Sequence, residues 1–355
     1  MKILHVITSL HTGGAETLLV NIIPRLTALG HKVDIAVFNG AYTPLMERLE
    51  KESPECKIYK LGHSYYNPLY IVRLIGIMRK YDIVHTHNSS PQLFAAIANV
   101  FCGKKLVTTE HSTNNRKREQ GGILRLLDRW MYRRYHQVIC ISQIAEKTLK
   151  DYLGCGKYSI CTVNNGVDVQ KFHDARPIAA LKTDKFSIVM VAGFREAKDQ
   201  DTVIKALSLL PKELYELWLV GDGVRRPELE NLIQESNLQD NVKLMGVRTD
   251  VPNILQTANV VVMSSHWEGL SLSNIEGMAV GKPFVASDVN GLRDVTQGYG
   301  ILFPHEDAEA LAKIIQHLHD DKKYYQEIAD RCYERAKQFD IKKMIDAYAH
   351  VYEKI

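Results

Sequence analysis

The chain has 355 residues, 45% of them hydrophobic and 24% charged, which favours two globular domains of about 100–200 residues each. Its formal net charge of +4 argues against a nucleic-acid-binding protein, because such proteins carry a dominant basic surface. The six cysteines include no C-x-x-C pair, so we expect reduced thiols in a cytoplasmic protein. No apolar run reaches the roughly 18 residues of a membrane span.

The first half of the chain alternates short apolar runs with segments of helical spacing. The run at residues 3–8 is broken by His5 and Thr8 and leads into a glycine turn, which favours a β-strand over a signal peptide. Further strand-like runs follow at 32–38, 56–61, 82–87, 105–111, 137–142 and 158–166. Continuous apolar strands separated by helices are typical of a parallel sheet that is covered on both faces.

Two glycines, Gly13 and Gly14, stand where the first strand gives way to a helix. A turn of this kind lets a backbone approach a phosphate closely. The surrounding sequence is neither G-x-x-x-x-G-K-[ST] nor G-x-G-x-x-G. The turn is therefore weak evidence for a nucleotide by itself, and it disfavours an NAD-dependent oxidoreductase.

Residues 116–134 combine basic residues with apolar ones at helical spacing. A basic amphipathic helix can lie on an anionic membrane surface. Alternatively, its apolar stripe packs on the sheet while its arginines face solvent, and the sequence leaves both interpretations open. The expected location is the cytoplasm, with peripheral contact to the inner face of the plasma membrane if the first interpretation holds.

The alternation lapses over 171–185, which we interpret as a linker, and it restarts at 186–194. Strand-like runs continue at 215–223, 242–247, 259–265, 283–288 and 299–304. The predicted fold class is α/β, with two tandem Rossmann-like, doubly wound domains that face each other across a cleft. The predicted domains are residues 1–170 and 186–340. Ligands of such sheets bind beyond the carboxyl ends of the strands.

Arg195 and Lys198 follow the strand that ends at Gly193. Two cations at a strand end suit two adjacent phosphates, because arginine offers a planar fork of donors and lysine a compact charge. A solvated surface turn would carry the same types of residue.

The segment 264–283 places two glutamates beyond a buried strand. A helix that begins at about 271–273 leaves the amides of 270–274 unpaired, which suits a phosphate or diphosphate. Glu276 could then accept hydrogen bonds from the hydroxyls of a ribose, and Glu268 could contact a sugar. Alternatively, Glu276 only complements the helix dipole and Glu268 is solvated.

Together these motifs resemble the retaining glycosyltransferases of the GT-B fold, specifically family 4, also called glycosyl transferases group 1. The most specific match is Glu268 with seven residues between it and Glu276, in the context EGLSLSNIEGMAVGKPFVAS. The family pattern is E-G-x-x-x-x-x-x-E-A-M-A-x-G-x-P-V-V-x-[ST]. Supporting matches along the chain are GGAE (13–16), TEHST (109–113), NNGVD (164–168), KD (198–199), LVGDG (219–223) and DVPNIL (250–255).

The resemblance implies a role for each candidate residue. Arg195 and Lys198 would bind the donor diphosphate, Glu276 the ribose and Glu268 the donor sugar. His111 matches the family's active-site histidine near the transferred sugar, which makes the predicted catalytic residues His111, Glu268, Lys198 and Arg195. The predicted donor-binding residues are Gly13, Gly14, Gly193, Val247, Gly269, Leu270, Ser271, Leu272, Ser273 and Glu276, with Val247 bordering the base. A helix at about 341–355 would return to the N-terminal domain.

The loop after residue 193 departs from the family pattern. Many relatives have Gly-Arg directly after the strand and a lysine five residues beyond the arginine. Here Phe194 separates Gly193 from Arg195, and Lys198 lies only three residues further on. If Lys198 aligns with the family lysine, Gly193 occupies the arginine position, and Arg195 would replace that arginine from the same loop.

The resemblance implies a hexosyltransferase-type enzyme (EC 2.4) of bacterial polysaccharide or glycolipid biosynthesis. It would move a sugar from a UDP- or GDP-linked donor to a hydroxyl of a glycan or lipid-linked saccharide, with retention and without a metal or other cofactor. The alternatives are a sugar-nucleotide epimerase of the same fold and a non-catalytic nucleotide-sugar binding protein. His85 and His87 would need a third ligand to hold a metal.

Overall fold

The computed structural model describes residues 1–11, 13–111, 123–154, 156–268 and 272–355. The chain forms two compact units. Unit 1 consists of Met1–Asn165 with Ile341–Ile355, and unit 2 of Gly166–Asp340. Each unit is built on its own parallel β-sheet.

The strands of unit 1 are β1 (Lys2–Ile7), β2 (Lys32–Asn39), β3 (Ile58–Gly62), β4 (Ile83–His87), β5 (Lys105–Glu110), β6 (Gln137–Cys140) and β7 (Ile160–Thr162). They form a seven-stranded sheet in the order β3-β2-β1-β4-β5-β6-β7, in which all neighbours are parallel. All five residues of β4 are buried, as expected for a central strand covered on both faces. The strand order reverses between β1 and β4, which are hydrogen-bonded neighbours.

The described helices of unit 1 are α1 (Gly14–Ala28), α2 (Pro44–Glu52), α3 (Leu69–Met78), α4 (Ser89–Asn99), α5 (Ile123–Tyr132), α6 (Gln143–Leu153) and α15 (Ile341–Lys354). Helix α1 buries leucine and isoleucine side chains that recur every three or four residues, which is the spacing of one helix face. Helix α15 packs against α1. It buries Tyr348 and Tyr352 in unit 1.

The strands of unit 2 are β8 (Phe186–Val191), β9 (Tyr215–Val220), β10 (Val242–Gly246), β11 (Val260–Met263), β12 (Phe284–Ser287) and β13 (Ile301–Phe303). They form a six-stranded parallel sheet in the order β10-β9-β8-β11-β12-β13. The strand order reverses between β8 and β11. The helices are α7 (Val169–His173), α8 (Gln200–Ser208), α9 (Arg226–Glu235), α10 (Val251–Thr257), α11 (Leu272–Ala279), α12 (Leu292–Thr296), α13 (Ala308–Asp320) and α14 (Lys322–Ala336).

The predicted fold class is confirmed, since each unit is a doubly wound α/β domain. The segment predicted as a linker, 171–185, begins inside α7 and includes a short 3-10 helix at Ala179–Leu181. Val169 and Phe172 of α7 are buried, and α7 packs on α10 and α11. This segment therefore contributes to the core of unit 2.

The basic segment 116–134 is described from residue 123 onward, as helix α5, and its earlier part lies outside the described residues. The C-terminal end of α5 is anchored, because Met131 and Tyr132 are buried. Its N-terminal half exposes three leucines, Leu124, Leu126 and Leu127. Among the helices that the structure describes, none combines the length and apolarity needed to cross a membrane.

Candidate active site

The loop that carries Lys198 lies at the switch point of the unit 2 sheet. It follows β8, and the segment that follows β11 pairs with it through a bridge between Lys198 and Ser265. The amide of Asp199 donates to the carbonyl of Ser264 (3.1 Å), and the amide of His266 donates to the carbonyl of Ala197 (3.0 Å). Open α/β sheets bind ligands at the point where the strand order reverses, so this loop pair is where a ligand of unit 2 is expected.

Asp199 fixes this loop pair from within. Its Oδ1 accepts a hydrogen bond from the amide of Thr202 (3.1 Å) and so caps the start of α8. Its Oδ2 accepts from the Ser264 hydroxyl at 2.7 Å. The carboxylate is 2% exposed, so Asp199 holds the backbone beside Lys198 and offers little surface to a ligand.

Lys198 forms an ion pair with Glu268. The two side chains are 17% and 18% exposed, so both are shielded from bulk water yet reachable. The structure therefore brings together two of the predicted catalytic residues that lie 70 positions apart. A lysine at the switch point offers a compact positive charge to a phosphate. A phosphate bound there would displace Glu268 from Lys198.

Arg195 lies in the same loop but points outward. The preceding residue, Phe194, is 1% exposed, whereas Arg195 is exposed. The carbonyl of Arg195 accepts a hydrogen bond from the amide of Lys198 (2.9 Å). A Cβ on Gly193 would lie 3.3 Å from Nε of Arg195, so the Arg195 side chain passes close to Gly193.

The glycine at the end of β9 makes room for this loop. Gly221 has a φ of +145°, a conformation that is essentially restricted to glycine. A Cβ at this position would collide with the carbonyl oxygen of Ala192. The LVGDG motif therefore packs directly against the loop after β8, and Gly221 allows this close contact between the two backbones.

Arg225 is a site residue that sequence analysis missed. Its Nη1 donates to the carbonyl of Lys198 (3.3 Å), and its side chain forms ion pairs with Asp201 (2.9 Å) and Glu228 (2.8 Å). It thus ties the backbone of Lys198 to α8 and α9. The motif RRPELE gave no signal for this role, because the contact depends on β8 and β9 being neighbours.

Glu276 lies within α11, which begins at Leu272. Burial raises the pKa of this carboxyl to about 7, and the charge of Lys171 on α7 partly opposes the shift. Leu272 and Ser273, at the start of the helix, are half-buried. The other predicted donor-binding residues of this loop, Gly269, Leu270 and Ser271, lie outside the described residues.

The last predicted donor-binding residue of unit 2, Val247, directly follows β10. Gly246, at the end of that strand, has a φ of +67° and accepts a hydrogen bond from the amide of Gly221 (2.9 Å). Val247 is 65% exposed, which is high for a branched apolar residue. A planar base could cover this side chain.

In unit 1, Gly13 caps the start of α1, and Gly14 is the first residue of the helix. A Cβ on Gly13 would collide with the carboxylate of Glu16, whereas one on Gly14 would meet nothing within 4 Å. Asn88, which donates to Thr8 (2.8 Å) and more weakly to Glu16 (3.5 Å), has a φ of 69°. Such backbone strain in a residue other than glycine concentrates at functional sites.

His111 follows β5 and belongs to a cluster of four histidines. Its Nε2 lies 2.9 Å from Nδ1 of His87, and Nε2 of His87 lies 3.0 Å from Nδ1 of His5. His85 stacks on His87 with ring centroids 4.4 Å apart. The hydrogen bonds of His85 go to the hydroxyls of Tyr352 (2.6 Å) and Thr109 (2.7 Å) and not to another histidine.

Burial keeps these histidines neutral. It lowers the pKa of His5 to about 3 and that of His111 to about 4. The pKa values of His85 and His87 lie well below the usual range, because burial and the neighbouring imidazoles both disfavour the charged form. The sequence indicated His85 and His87 only as metal ligands in need of a third, and His5 only as an interruption of an apolar run.

Two groups of described residues bring potential metal ligands within 4.8 Å of one another. The first is His5, His85 and His87, where hydroxyls already occupy both nitrogens of His85. The second is Asp199, His266 and His305. Nδ1 of His266 lies 2.9 Å from Nε2 of His305, and Asp199 already accepts two hydrogen bonds.

Comparisons with known proteins follow the same division of the chain. Residues 12–171 match the family model described as Glycosyltransferase Family 4, and residues 171–339 match the one described as Glycosyl transferases group 1. Together the matches span nearly the whole chain, so the chain belongs to the family 4 glycosyltransferases of the GT-B fold. The prediction of a GT-B glycosyltransferase is confirmed.

Named relatives agree with this assignment. The chain is 27% identical to the Escherichia coli UDP-Gal:alpha-D-GlcNAc-diphosphoundecaprenol alpha-1,3-galactosyltransferase, over 68% of this chain and 67% of that protein. It is 24% identical to the Bacillus anthracis N-acetyl-alpha-D-glucosaminyl L-malate synthase, over 96% of this chain and 93% of that protein. These names favour a transferase over an epimerase or a non-catalytic binding protein.

A solved structure shows the same fold. Anabaena HepE in complex with UDP and glucose superposes with a TM-score of 0.88 at 22% identity, covering 100% of both chains. At this identity the likeness establishes the fold alone.

Proposed function

We propose that this glycosyltransferase moves a sugar from a nucleoside-diphosphate sugar to a hydroxyl of a glycan or lipid-linked saccharide, with retention at the anomeric carbon. The observation that carries the proposal is the Lys198–Glu268 ion pair at the switch point of unit 2. The donor diphosphate would displace Glu268 as the ionic partner of Lys198. Glu268 could then accept hydrogen bonds from the donor sugar.

In the proposed reaction the bond between the anomeric carbon and the β-phosphate oxygen breaks, and a bond to the acceptor oxygen forms on the same face. The acceptor proton passes to the departing diphosphate. Negative charge grows on that diphosphate, and Lys198 and Arg195 would stabilise it. Because both cations belong to one loop that Asp199 and Arg225 hold in place, little reorganisation would be needed in the transition state.

Glu276 would bind the ribose. Its carboxyl is held where burial disfavours the charged form, and two ribose hydroxyls would supply the hydrogen-bond donors that stabilise that form. The amides at the start of α11, including those of Leu272 and Ser273, would face the phosphates, and Val247 would border the base.

Unit 1 would bind the acceptor. We assign His111 a hydrogen bond to the transferred sugar, and we assign the extended Gly13 and the open face of Gly14 to close backbone contact with the phosphate and sugar of the donor. Both positions lie near the carboxyl ends of β1 and β5, the edge at which parallel sheets bind ligands.

A UDP- or GDP-linked donor is proposed, with no metal and no other cofactor. The E. coli relative is named for a UDP-linked galactose, and HepE was solved with UDP, which supports a uridine donor in particular. In the metal-free proposal Lys198 and Arg195 take the place that a divalent cation would have beside the diphosphate.

We further propose that α5 rests on an anionic membrane surface, where a lipid-linked acceptor would be found. The helix exposes Leu124, Leu126 and Leu127 beside the exposed Arg125, a combination that suits the interface of a bilayer. Sedimentation with anionic vesicles at low salt tests this: the protein should pellet, and a variant with the three leucines changed to serine should not. Equal sedimentation of both proteins would refute the contact.

A ligand screen tests the donor site directly. UDP, GDP, ADP and their sugars are added to the full chain, and a bound ligand should raise the melting temperature by mass action. Lys198→Met should weaken binding of the best ligand about 10- to 100-fold, because it removes a charge-assisted hydrogen bond to phosphate. Lys205→Met is the control, since Lys205 is exposed on the neighbouring helix α8. The donor site is wrong if no nucleotide shifts the melting temperature, or if both variants bind alike.

A further inference from the structure

The three histidines His5, His87 and His111 form a continuous hydrogen-bonded chain through unit 1. Two ring-to-ring contacts of 3.0 Å and 2.9 Å make up the chain. His5 and His87 are fully buried, and Nε2 of His5 has no hydrogen-bond partner within the described part of the chain. His111 is half-buried at the other end, and its Nδ1 is the ring nitrogen that lies outside the chain.

Two neutral imidazoles can share a hydrogen bond only if one nitrogen carries the proton and the other a lone pair. If Nδ1 of His5 donates to His87, then Nδ1 of His87 must donate to Nε2 of His111, and the proton of His111 lies on Nδ1. If the direction is reversed, all three rings carry their proton on Nε2. The geometry therefore allows two states only, and in each the three rings share one tautomer.

A change of tautomer in one ring alone would break a buried hydrogen bond. It would bring two N–H groups or two lone pairs together at about 3 Å, and the loss of one buried hydrogen bond corresponds to a bias of about 10- to 100-fold against that state. The proton position of His111 is thus coupled to that of His5, which does not touch it.

We propose that His87 and His5 are positioning residues that hold the His111 ring in one orientation and couple its tautomer to theirs, so that the hydrogen-bonding character of its Nδ1 toward the saccharide is set by the whole chain of rings. His111 then acts as a neutral hydrogen-bonding group. The functional consequence rests on the role proposed above for His111, whereas the coupling itself rests only on the hydrogen bonds.

The surroundings of the chain contain no carboxylate hydrogen-bonded to it among the described residues. On the same face lie His85, Tyr348 and Tyr352. His85 bonds to Tyr352 and Thr109, and Tyr348 bonds to Thr109. Near the open end, Glu16 reaches Asn88. On the opposite face of β5, Glu110 accepts hydrogen bonds from Gln92 and Tyr132.

Nitrogen NMR of the histidine rings in the full, ligand-free chain tests the coupling without any substrate. His5, His87 and His111 should all show the same tautomer, Nδ1–H in each or Nε2–H in each. Opposite tautomers within the chain, or different proportions of the two tautomers in different rings, would overturn the proposal. So would stoichiometric binding of added Zn²⁺ that shifts all three rings, because the cluster would then be a metal site.

Two variants of β4 separate coupling from simple packing. His87→Phe removes both hydrogen bonds of the chain, whereas His85→Phe removes an equally buried ring two residues away and leaves the chain intact. His87→Phe should allow His111 to sample both tautomers, because Nε2 of His111 then has no ring partner. His85→Phe should leave the His111 signals unchanged. Equal effects of the two variants, or none from His87→Phe, would contradict the proposal.

Kinetics add a second readout. His87→Phe should lower kcat by about 10-fold or more, because His111 is no longer held in orientation and tautomer, and His85→Phe should lower it much less. The thermal shift caused by the donor in unit 2 should be unchanged, which separates this test from that of the donor site. Equal losses of kcat in His87→Phe and His85→Phe, or a fall in donor binding, would mean that His87 is only structural.

Discussion

Glu276→Gln should stabilise the ligand-free protein and, at the same time, weaken its binding of a nucleotide sugar. Burial raises the pKa of Glu276 from the model-compound value of 4.5 to about 7. The folded protein therefore holds this proton more tightly than the unfolded chain does, so ionisation costs stability as the pH rises from about 4.5 to about 7. Glutamine has no proton to lose and avoids this cost.

The size of the effect follows from the shift. Compared with a side chain that cannot ionise, Glu276 lowers the free energy of unfolding by at most about 3 kcal/mol at pH 8 and by at most about 1.5 kcal/mol at pH 5.5. Partial exposure of the side chain reduces both values. The stability gained by Glu276→Gln should therefore be larger at pH 8 than at pH 5.5, by at most about 2 kcal/mol.

Denaturant unfolding of wild type and variant at the two pH values measures this difference. Glu196→Gln serves as the control, since Glu196 is exposed and should change stability by less than about 0.5 kcal/mol at either pH. Calorimetric titration measures the binding of the donor. A UDP-sugar is the ligand, because its diphosphate does not change its ionisation between pH 6 and pH 8. Wild-type binding should weaken about 10-fold from pH 8 to pH 6 as the carboxylate is protonated, and Glu276→Gln should bind weakly without pH dependence. If Glu276→Gln loses stability equally at both pH values, or binds the donor as the wild type does, the assignment of the ribose site is wrong.

Three further predictions concern the supports of the two sites. Asp199→Ala removes the cap on α8 and the acceptor for Ser264, so it should cost about 2 kcal/mol in unfolding free energy and lower kcat, whereas Asp199→Asn should retain part of both. Gly221→Ala places a Cβ against the carbonyl of Ala192, so calorimetry should show a loss of about 3 kcal/mol or more, and an unchanged melting temperature would contradict the packing. Because the four clustered histidines of unit 1 are neutral in the folded protein, stability should fall as the pH drops below about 6.5, by about 1.4 kcal/mol per pH unit for each of them, and a flat profile from pH 7 to 5 would contradict their lowered pKa values.

Metal independence is tested by chelation. Dialysis against EDTA should leave the transfer rate unchanged if the cations of the β8 loop stabilise the departing diphosphate. A requirement for a divalent ion would contradict this and would direct attention to Asp199, His266 and His305, whose ligand atoms lie close enough to share one.

The strands and the strand-end motifs of this chain could be predicted from the sequence, because buried strands leave continuous apolar runs and glycine, lysine and glutamate stand out beyond them. The family motif assigned Lys198 and Glu268 to one donor site, but it did not predict their ion pair, since their separation of 70 residues carries no local signal. The sequence could not show that β1 and β4 are neighbours, and so it could not join His5 to His87 over 82 positions. The position of Arg225 beside Lys198 was hidden for the same reason.

The electrostatic properties of the site could not be predicted from the sequence either. Glu276 could be recognised as an acid near a helix start, but its raised pKa depends on burial within unit 2 and on Lys171, which belongs to a segment without a clear pattern. Likewise, the spacing of α5 predicted an apolar stripe, but only the structure separates its buried end at Met131 from its exposed leucines.

The most direct test of the donor site is a crystal structure of the full chain with the nucleoside diphosphate that gives the largest thermal shift. The account predicts that the diphosphate contacts Nζ of Lys198, displacing Glu268, and that both ribose hydroxyls donate to the carboxylate of Glu276. A nucleotide bound elsewhere, with the Lys198–Glu268 pair intact and no ligand at Glu276, would contradict it.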